Sequence, residues 1–317
     1  MSRHTQVRSE TTVAVPISQA VFSVDVEDWF HILDVPSAPK METWAELPSH
    51  VEANFIRLLD LFSQRGVHVT CFFLGWVAER YPQLVRDCVS RGHEVASHGW
   101  AHRLVYEMSR AEFHADARKS RELLEDISGT AVRGYRAAGF SVTQQAPWFF
   151  EELAKAGYYY DSSVFPAARS HGGMVNGRRT PYEVTLDSER LLEFPVTVAD
   201  FAGTAMCFFG GGYLRLFPYW LIRKKAQEVL EAGQPVVFYI HPREIDPSHP
   251  RLPMSRSRRF KSYVNLHQTE GKIQRILSDF PVTTFREYLS QHAKRQAATQ
   301  GGLQEFSALC GGWPRAN

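Results

Sequence analysis

From Ala20 onward, apolar runs of strand length alternate with segments whose apolar residues recur at helical spacing. The strand-like runs fall at 21–24, 67–74, 93–97, 132–136, 158–161, 191–196, 234–240 and 282–285. Between them, Ser49 can cap a helix with Val51, Phe55, Leu58, Leu59 and Phe62 on one face and Gly66 at its end. Pro82 can open the next within its first turn, with Leu84, Val85, Cys88 and Val89 inward and Gly92 closing it. Helical spacing recurs over 109–128, 145–156, 218–231 and 268–278, with a terminal helix after 285 and an irregular insertion at 165–190. Repeated strand–helix units predict a parallel sheet covered by helices. No GxGxxG follows the first strand, so the pattern favours an α/β barrel over a dinucleotide-binding sheet. Gly210, Gly211 and Gly212 read as a flexible turn, and without a following Lys-Ser/Thr they make no phosphate loop.

The polar residues that end these strands carry the chemistry. Asp25, His98, Arg136, Asp161 and His241 each fall at the C-terminal end of a predicted strand, where barrel active sites are built. His98 and His102, four residues apart beside Gly99, can turn two nitrogens toward one divalent ion. In a chain with 13 histidines that spacing alone is weak evidence. Each residue has a plainer alternative. Asp25 to Asp28 can cap a loop, Asp161-Ser-Ser can cap a turn, Arg136 can form a surface ion pair, and His241 can be a satisfied histidine before Pro242. His31 reads as a pocket wall or core neighbour. Trp29, Phe30, Trp44, Trp100, Tyr159 and Phe208 lie near motif ends and could stack on sugar rings.

Taken in order, Ser23-Val-Asp25-Val-Glu27-Asp28, Ser97-His98-Gly-Trp-Ala-His102, Tyr135-Arg136-Ala-Ala-Gly139-Phe140, Tyr160-Asp161-Ser-Ser163 and Phe238-Tyr239-Ile-His241-Pro242 resemble the five motifs of the polysaccharide deacetylases. These are the NodB-homology enzymes of carbohydrate esterase family 4. Residues 192–288 are similar to the C-terminal part of its exopolysaccharide-locus branch. The resemblance implies a distorted (β/α)7 barrel and removal of N-acetyl groups from N-acetylhexosamine units of an exopolysaccharide or its lipid- or nucleotide-linked precursor. It implies one divalent metal ion, zinc above cobalt, nickel or iron, on His98 and His102. Asp25 would be the base and His241 the acid, with Arg136 holding Asp25 ionised and Asp161 orienting His241. Gly139, Phe140, Trp100 and Tyr239 would serve the oxyanion and the substrate.

Two departures matter. The family's adjacent Asp-Asp pair is here Asp25-Val-Glu27-Asp28, so Glu27 and Asp28 both stand as metal carboxylates. Strand alternation puts Glu27 on the face of Asp25, whereas a strand ending at Val26 would let Asp28 swing in. Ala138 also replaces a frequent Pro. An amidohydrolase for a small non-sugar amide and an inactive carbohydrate-binding relative are the competing functions; both lack a need for the full set.

Composition removes other classes. A net charge of +2 argues against a nucleic-acid partner, and four scattered cysteines form neither a disulfide frame nor a thiolate zinc site. Residues 1–19 form a polar arm without the apolar core of a secretory signal, and no stretch suits a bilayer, so a cytoplasmic protein is expected. The barrel is expected over 20–296 as a single domain, extended from about 192, with a disordered tail over 297–317. After His241 come Arg243, Arg251, Arg256, Arg258, Arg259 and Lys261. They read either as a solvated basic loop or as a rim for a diphosphate-bearing or otherwise anionic substrate.

Overall fold

The computed structural model describes residues 18–169, 172–186 and 189–300. In chain order its elements are β1 (Ala20–Val26), α1 (Val51–Gln64), β2 (Thr70–Phe73), α2 (Gly75–Arg80), α3 (Pro82–Ser90), β3 (Glu94–Ser97) and α4 (Arg110–Ser128). There follow β4 (Gly134–Tyr135), α5 (Phe149–Lys155), β5 (Tyr160–Asp161), β6 (Tyr182–Thr185), β7 (Arg190–Glu193), β8 (Ala199–Phe201) and β9 (Thr204–Met206). The last elements are α6 (Gly211–Leu216), α7 (Tyr219–Glu231), β10 (Val236–Ile240), α8 (Arg256–Tyr263), α9 (Leu266–Asp279), β11 (Val282–Thr283) and α10 (Phe285–Gln300).

The main sheet runs β10-β1-β2-β3-β4-β5-β7, parallel throughout, with β6 antiparallel on the outer edge of β7. It is a curled parallel half-barrel. β1 lies one strand in from the β10 edge, paired with β10 on one side and with β11 and then β2 on the other. No strand of the described residues joins β7 to β10. Instead Val237 donates its N–H to Thr197 Oγ1 at 2.9 Å, and Tyr239 N–H reaches Phe209 O at 3.0 Å. The segments after β7 therefore occupy the edge of β10 that a closed barrel would pair.

Both faces of the central strands are buried, as their continuous apolar sequence requires. Phe22, Val24 and Val26 pack outward with Phe55, Leu58, Leu59 and Phe62 of α1. Alternation turns Val21 inward with Phe72, Ala96, Tyr160, Phe194 and Val237. Phe285, Tyr288 and Leu289 of α10 fill that interior, with the Phe285 ring stacked on Tyr160 at 5.2 Å. Beside them the buried Glu94 carboxylate accepts from Thr70 Oγ1, Tyr160 OH and the Arg286 N–H. The entry to the last helix is thus tied to the strands it plugs.

Several local expectations change. α4 has the predicted ends, a Ser109–Glu112 capping box and Gly129 at φ +64. By contrast, Ser49 does not cap α1: the N-cap is His50, and Asp28 accepts the N–H groups of His50 and Val51. The irregular insertion contains β6, and the stretch beyond β7 forms a β8–β9 hairpin turned by Ala202 and Gly203, both at positive φ. The glycine triplet is no loose turn. Gly210 lies flat on the Tyr239 ring, where a Cβ would come within 2.1 Å, and α6 starts there. The basic loop is largely the helix α8, and α10 runs through Gln300, past the expected start of the tail. Cys71, Cys88 and Cys207 are buried and unbridged, while Cys310 and most of the N-terminal arm lie outside the described residues. No helix among the described residues is long and apolar enough to cross a membrane.

Phe285→Ala empties the centre of this plug, and the expected loss is about 3–5 kcal/mol. Urea unfolding followed by circular dichroism measures it; a change under 1 kcal/mol would mean α10 is not part of the core.

Candidate active site

Polar residues at or just after the ends of β1, β3, β4, β5 and β10 gather at the upper rim, while β2 ends in Phe73 and Leu74. Arg136, directly after β4, is fully buried and makes the central set of contacts. Its Nη1 donates to Asp25 Oδ1 at 2.6 Å and to Ser23 Oγ at 2.8 Å. Nε reaches Ser162 O, Nη2 reaches Ser162 Oγ, and the guanidinium lies 4.1 Å from the centre of the Phe72 ring. Its own carbonyl takes a hydrogen bond from His98 Nδ1 at 2.8 Å.

That last contact fixes the histidine's chemistry. A carbonyl only accepts, so Nδ1 carries the ring proton and the neutral ring presents a bare Nε2. This Nε2 stands 3.0 Å from Glu27 Oε1, and His102 Nε2 stands 2.9 Å from the same oxygen. The backbone is bent to achieve it: Gly99 sits at φ +74 and His102 at φ +53, a conformation a side-chain-bearing residue adopts only when its surroundings impose it. The turn is held from behind, with Gly99 O accepting from Gly75 N–H and Ser120 Oγ, and Trp100 N–H donating to Asp116. Two imidazole nitrogens and one carboxylate oxygen, all buried and within 4.8 Å of one another, converge on a point that calls for shared positive charge. The donor set fits a divalent ion such as zinc.

Glu27, not Asp28, meets the two histidines. The Asp28 carboxylate is committed elsewhere, accepting from Trp29 N–H, Ser49 Oγ, His50 N–H and Val51 N–H. It therefore ties the loop after β1 to the start of α1. Glu27 is held ionised: burial works against its charge, but the charges of His102 and His241 outweigh that and hold it well below the usual carboxylate range.

His241 closes the site from β10. Its Nε2 lies 3.9 Å from Asp25 Oδ2 and 3.8 Å from Glu27 Oε1, too far for direct hydrogen bonds. Burial alone would lower the imidazole pKa. Glu27, Glu244 and Asp25 reverse that and lift it above its ordinary value. Glu244 is the residue that orients His241, with Oε2 at 3.2 Å from Nδ1 and accepting the His241 N–H as well. Arg215 Nε holds the other carboxylate oxygen at 2.9 Å. Burial raises the Glu244 carboxyl, yet Arg215 and His241 hold it at about 2.

Asp161 does not reach His241. It accepts from Ser163 Oγ and Ser163 N–H, and Ser163 Oγ in turn receives the Ala137 N–H. Asp161 thereby shapes the loop that carries Gly139 and Phe140. Alongside it in register is Glu193 of β7, equally buried. Burial pushes Asp161 up to about 6, and burial together with Asp161 pushes Glu193 well above its ordinary range. Glu244 was legible only as an acid three residues beyond His241, on the turn that Pro242 opens. Nothing in the chain's local pattern marks Glu193.

A cavity of about 630 Å³ opens above these groups. Gly139, Phe140 and Tyr239 line it; Trp100 does not, being packed on Gly75 with Lys119 over its ring. The Phe140 N–H is taken by Ala137 O and does not face an oxyanion; the Phe140 side chain lines the cavity. None of the six aromatics singled out by motif position lines the cavity; Phe140, Phe165, Tyr213, Tyr239 and Phe260 do. His31 is also a wall. Its Nδ1 accepts from Asp28 N–H and its pKa is held well down, chiefly by burial, so Nε2 carries the proton and has no partner among the described residues.

Residues 43–160 match the polysaccharide deacetylase family, and residues 162–290 match a domain of unknown function, DUF3473. The chain carries a polysaccharide deacetylase domain. His98, His102 and Arg136 lie within the matched residues, whereas Asp25, Glu27 and His241 lie outside them. Over 156 residues the chain is 29% identical to the peptidoglycan deacetylase of Helicobacter pylori, which covers 47% of each. The chain thus spans about half the length of that relative or less of others, such as 35% of the peptidoglycan-N-acetylglucosamine deacetylase of Bacillus cereus (28% identical, 30% of this chain). Its fold matches a Mycobacterium smegmatis structure assigned to the polysaccharide deacetylases, at a TM-score of 0.58 and 19% identity over 91% of this chain and 94% of that one.

The contacts around His98 and His102 separate two acids that sit side by side in sequence. Glu27→Gln is expected to weaken Zn2+ binding at least tenfold, and Asp28→Asn to lower the melting temperature while retaining metal. Calorimetric titration and thermal melts of both variants check this. The Asp161–Glu193 pair generates a pH effect of definite sign. The native state keeps a proton that the unfolded chain releases above about pH 4.3, so this contribution to stability falls as pH rises. Glu193→Gln is therefore expected to melt above the wild type at pH 8, with the gap narrowing at pH 5.

Proposed function

We propose that this chain is a metal-dependent N-deacetylase acting on N-acetylhexosamine units of an exopolysaccharide or of its precursor. The convergence of Glu27, His98 and His102 between Asp25 and His241 carries the proposal, and the family match supports it. Glu27, His98 and His102 would hold the ion, which when bound supplies Lewis acidity to the acetyl carbonyl and makes water a better nucleophile. Zinc suits these donors, as do cobalt, nickel and iron.

The chain's own residues supply the proton transfers. Arg136 occupies Asp25 Oδ1, leaving Oδ2 to take a proton from the attacking water as a bond forms to the acetyl carbon. The oxyanion that develops needs a backbone donor as well as positive charge, and Gly139, which lines the cavity, would supply it. As the C–N bond breaks, His241 Nε2 donates its proton to the departing amine, with Glu244 stabilising the charged ring beforehand. Acetate and the free amino sugar result. Exposed Tyr213 and Phe260 on the cavity wall suit the apolar faces of sugar rings.

Acetate release from N-acetylchito-oligosaccharides with and without added Zn2+ tests the activity; no release with metal loaded would overturn it for these sugars. Asp25→Asn is expected to keep metal and lose on the order of a hundredfold in kcat. His241 acts as its protonated form, so activity is lost as pH rises through its pKa. Removing the Glu244 charge lowers that pKa, and Glu244→Gln is expected to move the alkaline limb of the kcat profile to lower pH. An unmoved limb would separate Glu244 from the acid step.

A further inference from the structure

The cavity's charge is not balanced. Its three lining carboxylates are all committed: Asp25 to Arg136, Glu27 to the two histidines, and Glu244 to Arg215 and His241. The same lining adds Arg169, Arg243, Arg258 and Lys261. Arg243 follows the proposed acid by two residues, and Arg258 and Lys261 lie on successive turns of α8, so the cations come from separate elements onto one mouth.

Arg243 and Arg258 have few partners among the described residues. Arg243 makes no ion pair among the described residues, and the Nε atoms of Arg243 and Arg258 are buried without a hydrogen-bond partner. Arg258 Nη2 is fixed on Leu33 O, and Arg169 is stacked on Phe140 and Phe165. Burial lowers the Arg258 pKa and Asp34 opposes that, while the positive charges of Arg243 and Arg169 lower it further. Gathering like charges in a half-buried wall is unfavourable unless an anion completes it. Of the remaining cations beyond His241, Arg256 and Arg259 are exposed and Arg251 lies over the Tyr263 ring, all three outside the cavity lining.

We propose that this wall binds an oxyanionic group, phosphate or carboxylate, carried by the N-acetylated sugar that the site deacetylates. The assignment rests on the deacetylase reading for the sugar but not for the anion. Guanidinium forks on Arg243 and Arg258 grip the oxyanion, and Lys261 adds a point charge at the exposed edge. A sugar so held is anchored beside its acetamido group, which places the amide over the Glu27–His98–His102 face.

Calorimetric titration of the zinc-loaded protein with N-acetylglucosamine 1-phosphate, N-acetylmuramic acid and neutral N-acetylglucosamine tests the wall. At least one anionic sugar is expected to bind ten times or more tighter than the neutral one, with that advantage shrinking several-fold from 50 to 500 mM salt. The arm that shows it identifies phosphate or carboxylate as the source. Arg258→Gln and Arg243→Gln, made separately, are each expected to cut the anionic-to-neutral ratio at least fivefold. Lys261→Gln, at an exposed position that endangers no packing, is expected to cut it about twofold. Equal binding of all three sugars by the wild type, or a ratio untouched by the substitutions, would overturn the proposal. Acetate release from neutral chitotriose is read in parallel. Anion preference without acetate release would keep the wall and overturn the deacetylase assignment.

Discussion

The fully buried Arg136 guanidinium is the contact on which the site is assembled. It joins β1 through Ser23 and Asp25, and the segment after β5 through Ser162, while its backbone carbonyl sets the tautomer of His98 after β3. A charge with no exposure has to satisfy its donors inside the protein, and it does so on groups from strands that pair in parallel around it. The same bonds that make the cation tolerable hold the candidate base, the candidate metal face and the loop of Gly139 in mutual register. Structural and chemical roles are inseparable at this residue.

Beneath that layer the interior is closed by α10. Phe285 and Tyr288 supply apolar volume, and Glu94, Thr70 and Tyr160 satisfy one another and the first N–H groups of the helix. The curled sheet is therefore filled from below by α10 and open above. That asymmetry places the cavity at the strands' C-terminal ends, where unpaired loop residues can face a ligand.

The two family matches divide the chain near Asp161, but the cavity does not respect that division. The deacetylase segment contributes His98, His102 and Arg136. The segment matching DUF3473 contributes His241, Glu244, the glycine-started α6 and the cationic α8. Lys272 of α9 fastens α6 in place, its ammonium group donating to the carbonyls of Leu214, Arg215 and Phe217. The second segment thus builds one wall of the cavity.

Alternation of strand and helix patterns, together with Asp25, His98, Arg136 and His241 at strand ends, was enough to specify a parallel barrel-like sheet and one mouth. This follows because burial on both faces and the one-way connection of parallel strands are encoded locally. Which groups touch was not encoded so. Glu27 and Asp28 are neighbours with the same charge, and only the cap that α1 requires draws Asp28 away from the histidines. Asp161 and Glu244 are both acids near a motif, yet the turn opened by Pro242 brings Glu244 to His241 while parallel pairing sets Asp161 against Glu193. Aromatics divided in the same way: Trp29, Phe30, Trp44 and Phe208 beside the motifs entered the core, whereas Phe140 and Tyr239 within the motifs line the cavity with Phe165, Tyr213 and Phe260. Position along a strand is a local property, whereas the partner of a buried charge is chosen by whatever the whole fold brings within hydrogen-bonding distance.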